Sequence, residues 1–433
     1  MAHEDRRECG ECLVLLGIVE EWCTVDLDQH DRAAEFLGGE PALVQGPDVT
    51  PGVPLDVDVP TLRAGTMVDL APLLLNDVDT RDGDVLWERS GLAALTGRRW
   101  GPTLGGPKGV VPGMGTLAAH LGVLSDRLGR RVEVDGVDLL LERARITGHS
   151  RQGDLSVGGA CRLIQSADGW IALSLARDDD LAAVPAWLEC DIDALNATAV
   201  ETVVRARSTD WLIGRAALLG LPCGALGEVT HPRVTATRIG AGAPVPRAAD
   251  LTVVDLSSLW AGPLCGRLLA EAGMRVVKVE SSRRPDGARL GPAAFFSLMN
   301  DRKEHVALNL AAEDGREQLR RLVAEADVVI EASRPRALEQ MGIVASESAA
   351  RVWLSITGYG RSMPDRVGFG DDAAVAGGLV AWDPNGPVFA GDAIADPIAG
   401  LFGTVVVLDR LQAGDRWLVD LPLAHVAALL VQL

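Results

Sequence analysis

Between residues 251 and 356 the chain alternates short β-rich runs with stretches of helical spacing, and few architectures can absorb that order. The runs are Leu251–Leu256, Arg275–Val279, Val306–Leu310, Asp327–Glu331 and Val352–Ile356, and the helical stretches include Leu264–Ala272 and Glu313–Ala326. Parallel neighbours need a long crossover, which a helix supplies, so the pattern predicts right-handed βαβ units. The expected fold class is α/β: a Rossmann-like parallel sheet domain with helices on both faces, plus a smaller α+β domain.

The smaller domain is expected over 149–245. It has a Gly158–Gly159 turn, a strand pair around Ala167–Trp170, helical segments through Ala199–Leu219 and a Pro222–Gly224 turn. Gly240–Ala249, with two prolines and two glycines, reads as the linker into the large domain over 250–433. Residues 1–84 match no architecture. With 433 residues the chain exceeds one ordinary core, and 48% apolar residues suffice to fill more than one.

A net charge of −19 without a Lys/Arg block argues against nucleic acid as a partner. Seven scattered cysteines suit a reducing compartment better than a disulfide framework. The charged start, Met1–Glu11, has no leader-like apolar segment, and Asp396, Asp420 and His425 interrupt the longest apolar runs, so no membrane span is expected. The expected location is cytoplasmic.

The long apolar run Ile398–Leu408 follows Asp396 and Pro397. Asp then Pro before such a run marks a helix start, with Asp as N-cap and Pro at the first helical position. A carboxylate held there by backbone N–H groups and the helix dipole is expected to be ionised, and an ionised, oriented carboxylate can also attack an activated acyl group. The structural and the nucleophilic roles can coexist. A second segment, Gly105–Leu128, repeats the surroundings: Leu121–Leu128 sets over Val405–Leu411 with Asp126-Arg127 against Asp409-Arg410, and Arg131–Asp135 resembles Arg416–Asp420. In that register Gly113 stands where Asp396 should be, so residues 85–148 read as a degenerate partial repeat of the large domain.

From Arg275 to Arg336 there are 12 Lys/Arg against 10 Asp/Glu, a local excess of two cations in an acidic chain. An anionic ligand is therefore expected here, with Lys278, Arg283, Arg284, Lys303, Arg334 and Arg336 as candidates, while Arg316, Arg320 and Arg321 suit a solvated helix face. The loop from Asp255 to Pro263 lacks G-x-G-x-x-G, and Pro263 removes an amide donor, which disfavours a dinucleotide. Cys9, Cys12, Cys23 and His30 lack a paired second half for zinc, and no metal site is expected.

The run Val254–Pro263, then Leu268–Gly273, Val276–Glu280, Asn300–Lys303, Val306–Leu310, Ala326–Glu331, Arg334-Pro335, Ser355–Gly360 and Gly391–Gly400, resembles the class III CoA-transferases, the formyl-CoA and carnitine-CoA transferase type (CaiB/BaiF), in the family's order over about 180 residues. Ser156–Val229 resembles the family's small domain, here placed before the large one, as in a rearranged tandem. The resemblance implies a transferase with Asp396 as nucleophile, attacking an acyl-CoA and passing CoA to a free carboxylic acid. It implies coenzyme A as substrate rather than a tightly bound cofactor, a CoA site including Trp260, and a possible homodimer. The related racemases use a His where this chain has Phe369, which disfavours two-base proton exchange. An acyl-CoA racemase or isomerase, and a non-catalytic CoA-binding subunit, are the alternative readings.

Overall fold

The computed structural model describes residues 65–433 apart from positions 244, 246 and 334. Arg334 and the Cys9, Cys12, Cys23 and His30 set lie outside the described residues. The strands, in chain order, are β1 (Met67–Asp69), β2 (Cys161–Gln165), β3 (Trp170–Ser174), β4 (Cys223–Ala225), β5 (Thr235–Gly240), β6 (Thr252–Asp255), β7 (Arg275–Ser281), β8 (Glu304–Leu308), β9 (Val328–Glu331), β10 (Val352–Thr357), β11 (Val380–Asp383), β12 (Gly386–Phe389) and β13 (Arg416–Pro422).

The large sheet runs β1-β5-β13-β10-β9-β6-β7-β8. From β13 to β8 every pairing is parallel, and β5 and β1 join antiparallel at one edge. Read from β8, the parallel strands follow the doubly wound order 3-2-1-4-5-6, which leaves a crevice beyond the carboxyl ends of β6 and β9, where the winding reverses. The β-rich runs form these strands because alternate residues serve opposite faces. Val253, Val276, Val328 and Leu354 enter one core, and Val254, Val277, Val329 and Trp353 enter the other. The first core holds the Val110–Arg127, Ala261–Glu271 and Ala395–Ala413 helices; the second holds Leu319 and Val323 of the Glu313–Ala324 helix. Helices therefore cover both faces.

The Glu313–Ala324 helix is amphipathic, with Arg316 and Arg320 paired to Glu313, and Arg321 3.9 Å from Glu317, on its outer side. The Ala395–Ala413 helix is buried almost all round, as its continuous apolar run requires, and ends at Gly414 with φ 85°. Its Gly400 lets the Ala261–Glu271 helix come close: a Cβ there would lie 2.8 Å from the Ala261 carbonyl oxygen.

The antiparallel β2-β3-β4 sheet and the helices Asp178–Leu188, Ala197–Val204 and Thr209–Leu219 enclose a separate core around Trp187, Val200 and Leu212. This is the smaller α+β unit. Thr235–Gly240, which the sequence reading assigns to it, instead pairs with β13 in the large sheet, because Val234 and Ala236 bury into the main core. No helix among the described residues is long and apolar enough to cross a membrane.

Candidate active site

The site assembles where two helix starts meet at the crevice, Trp260 before the Ala261–Glu271 helix and Asp396 in the first turn of the Ala395–Ala413 helix. Both are preceded by non-glycine residues with positive φ, Leu259 at 71° and Ala393 at 41°. Such backbone is costly for a side chain with a Cβ and persists only where the surroundings enforce it. Asp286 holds the first loop, accepting from the Leu259 and Ala288 amides at 2.9 Å each. The second loop is held by Thr96, whose Oγ1 accepts from Gly391, and by Asp371, which accepts from the Ala393 amide at 2.9 Å.

Asp396 is not the N-cap that the Asp-Pro pair suggests. Ile394 takes that position without a side-chain cap bond, and Asp396 is the second helical residue, its amide donating to the Ala393 carbonyl at 2.9 Å. Its carboxyl is partly exposed and packs on Gly370, where a Cβ would stand 2.5 Å from Oδ2. The expectation of a fully ionised carboxylate is overturned as well. Burial pushes Asp396 up to about 7; Arg143 works against the rise, and Asp371 and Asp392 add to it. The dipole of one helix is the smaller influence beside lost hydration and two neighbouring carboxylates.

Arg143, from the Gly136–Thr147 helix, is the cation of the cluster. Its Nε donates to Asp392 Oδ2 at 2.8 Å and its Nη2 to Asp392 Oδ1, and the guanidinium lies 4.7 Å from the centre of the Trp260 ring. Burial opposes its charge, but Asp392, Asp371 and Asp396 offset this and keep it protonated. Asp392 is fully buried; against that burial, Arg143 and His149 hold it at about 2. Burial and the Asp392 charge push Asp371 up to about 6, against the pull of Arg143. Beside it, burial lifts Asp372 to about 7, with its Oδ1 accepting from Ser174 at 2.8 Å and from the Phe369 amide at 3.0 Å.

Of the residues selected from sequence, Asp396 and Trp260 are brought together; Trp260 is buried, edge-on to Phe295 at 5.2 Å. Lys278 and Lys303 are not presented to a ligand, which corrects the expectation for both. Lys278 Nζ lies 2.8 Å from Asp286 and donates to the Ser257 carbonyl, and Lys303 Nζ donates to Asp255, the Pro263 carbonyl and Asn300. Both are buried against buried carboxylates that need internal cations, Asp255 at the end of β6 and Asp286 in the loop after β7. These lysines brace the Ser257–Trp260 loop. Arg283 and Arg284 are exposed after β7 and make no side-chain ion pair among the described residues, whereas Arg336 lies 3.1 Å from Asp365.

Sequence reasoning missed Arg143, Asp371, Asp392 and His149. Asp392 lies inside the Gly391–Gly400 segment that the resemblance marks, and Asp371 stands two residues after Phe369, the position compared with the racemases. Arg143 and His149 carry no local signal, being chemically ordinary and about 250 positions upstream of the loop they serve. Gly113, the counterpart of Asp396 in the repeat register, is buried under the chain's end: a Cβ there would come within 2.5 Å of Leu430 Cδ2 and 3.3 Å of Leu433. A carboxylate there would have to displace the Leu430 side chain.

Asp396 thus stands at a helix start over the crevice of a doubly wound sheet, and residues 249–432 match the family model described as CoA-transferase family III. The chain is 29% identical over 192 residues to succinyl-CoA–D-citramalate CoA-transferase of Chloroflexus aurantiacus, covering 40% of this chain and 48% of that protein. It is 34% identical to the beta subunit of succinyl-CoA–L-malate CoA-transferase of the same organism, covering 39% and 46%. An acyl-CoA transferase of Fusarium pseudograminearum is 33% identical over 190 residues, covering 38% and 42%. A crystal structure of a CAIB/BAIF family protein from Brucella suis aligns with a TM-score of 0.39 at 30% identity, over 43% of this chain and 55% of that one. The chain spans about half the length of the curated relatives it matches.

Proposed function

We propose that this chain moves CoA from an acyl-CoA to a free carboxylic acid, with Asp396 as the covalent nucleophile. The observation that carries the reading is the placement of Asp396: in a family-matched segment, at the first turn of a buried helix, partly open, with a carboxyl that titrates near 7 and so retains basicity while ionising in the neutral range.

Asp396 Oδ attacks the thioester carbonyl carbon; a C–O bond forms, the C–S bond breaks, and CoA leaves as the thiolate. The thiolate then attacks the Asp396 carbonyl carbon of the mixed anhydride, forming aspartyl-CoA and releasing the donor acid as its carboxylate. The acceptor carboxylate attacks that thioester, the thiolate leaves again, and its attack on the acceptor's acyl carbon gives the new acyl-CoA and frees Asp396. No net proton is consumed, so no second acid or base is required.

CoA enters as substrate and not as a resident cofactor. Arg283 and Arg284, exposed at the end of β7, are the cations available for its phosphates; Lys278 and Lys303 are engaged within the fold. Cys161, Cys190, Cys223 and Cys265 are all free thiols, which suits the cytoplasm. The test incubates the protein with a panel of acyl-CoAs and free acids and follows CoA transfer and any adduct on Asp396 by mass spectrometry. Transfer with an Asp396 adduct is expected. An Asp396→Asn variant as active as the parent would reject the assignment.

A further inference from the structure

We propose that Arg143, supplied from upstream of the family-matched segment, is a catalytic residue of this site, donating from Nη1 to the oxygen that gains charge when Asp396 or a substrate carboxylate attacks. The inference rests on the transferase reading and adds to it a residue and the source of that residue.

Three observations carry it. The guanidinium is fixed on two sides, Nε and Nη2 clamped on Asp392 and the plane against Trp260, whereas Nη1 has no acceptor among the described residues. A side chain held by two edges with a third left open is a preorganised donor, and preorganisation is what lets a donor stabilise developing charge without reorientation. The charged groups whose fields reach it are carboxylates, Asp392, Asp371 and Asp396, with His149 3.7 Å from Asp392. Arg143 is thus the cation that balances a nucleophile and its acidic neighbours, and each attack adds negative charge to that same space.

The third observation concerns origin. Residues 249–432 carry Asp396 and, in Asp371, one group that holds its loop, yet the others come from upstream: Thr96 on Gly391, Arg143 and His149 on Asp392, and the Gly153 carbonyl on the Phe389 amide at 2.9 Å. On the repeat reading, residues 85–148 carry glycine where the other copy has Asp396, and they serve by completing that copy's site in cis.

Arg143→Met alone would leave Asp392 as a buried, unpaired charge, so the decisive variant is the double substitution Arg143→Met with Asp392→Asn. A kcat about 100- to 1000-fold below the parent's is expected, with KM for acyl-CoA within a few-fold, and added guanidinium should restore part of the rate. Arg145→Met, an exposed change on the same helix, serves as the control and should transfer like the parent. Transfer by the double variant within threefold of the parent overturns the inference, as does a loss in a folded variant that guanidinium leaves unrestored. Should the double variant fail to melt cooperatively, Arg143→Lys decides, since it keeps the charge but loses the two-edged clamp: a similar fall in kcat at parental melting temperature supports the role, and parental kcat overturns it. A parent inactive with every acyl-CoA and acid pair overturns the transferase reading together with this one; an active parent with an undiminished double variant overturns this one alone.

Discussion

The Asp396→Asn variant is expected to be more stable than the parent at pH 8 while losing transfer. Burial raises this carboxyl from 3.8 to about 7, with Arg143 opposing and Asp371 and Asp392 adding. The folded state then binds the proton more tightly than the unfolded chain, so the stabilisation is complete below pH 3.8 and is lost as pH climbs through about 7. At about 1.4 kcal/mol per pH unit, the interval from 3.8 to about 7 corresponds to about 4 kcal/mol at pH 8, which solvent screening of a partly exposed group lowers to about 2 kcal/mol. Asparagine carries no charge at any pH and keeps the shape, and Arg143 stays paired with Asp392, so the gain should appear without a new unpaired cation. At pH 5 the same linkage leaves less than half of it. Urea unfolding of parent and variant at pH 5 and pH 8 reads the difference directly, since the other carboxylates are common to both proteins. A variant equal to or weaker than the parent at pH 8, or a gain unchanged between the two pH values, refutes the burial argument.

Other substitutions probe the packing around Asp396 and around Gly113. Gly370→Ala places a Cβ 2.4 Å from the Ala393 carbonyl oxygen and 2.5 Å from Asp396 Oδ2, so the loop backbone and the carboxyl must both move; kcat should fall about 10- to 100-fold by steady-state transfer, and the melting temperature should fall with it. Adding Gly113→Asp to Asp396→Asn should restore no transfer, because the new carboxylate meets Leu430 and Leu433 and not the Arg143, Asp371 and Asp392 cluster; recovered activity would show that the repeat retains a usable site. Lys278→Met should lower unfolding free energy by about 3–5 kcal/mol by leaving Asp286 buried and unpaired, whereas a raised KM for acyl-CoA at parental stability would return Lys278 to the CoA site.

The parallel sheet was legible because strand periodicity is local: Val253 and Val254 point to opposite cores by the geometry of extended backbone, and the runs at Val276, Val328 and Val352 repeat it. The position of Asp396 was legible too, since an apolar run behind Asp-Pro can only be a buried helix with that carboxylate at its start. Its exact place in the first turn was not, because the chain turns at Ala393, with positive φ, and the helix begins two residues earlier than the proline suggests. The lysines misled for a related reason. A cation at a strand's end reads identically whether it faces solvent or an internal carboxylate, and only the approach of Asp286 to Lys278 and of Asp255 to Lys303 decides.

What residue order settles here is therefore what depends on neighbours in the chain: strand and helix runs, the doubly wound class and one carboxylate before an apolar helix. What folding alone decides is what depends on distance through space. Arg143 and Asp392 stand 249 positions apart and meet in a bidentate pair, and burial beside Asp371 and Asp392 moves Asp396 to about 7. Charge and hydration act across whatever gap the fold leaves, and no spacing in the sequence records that gap.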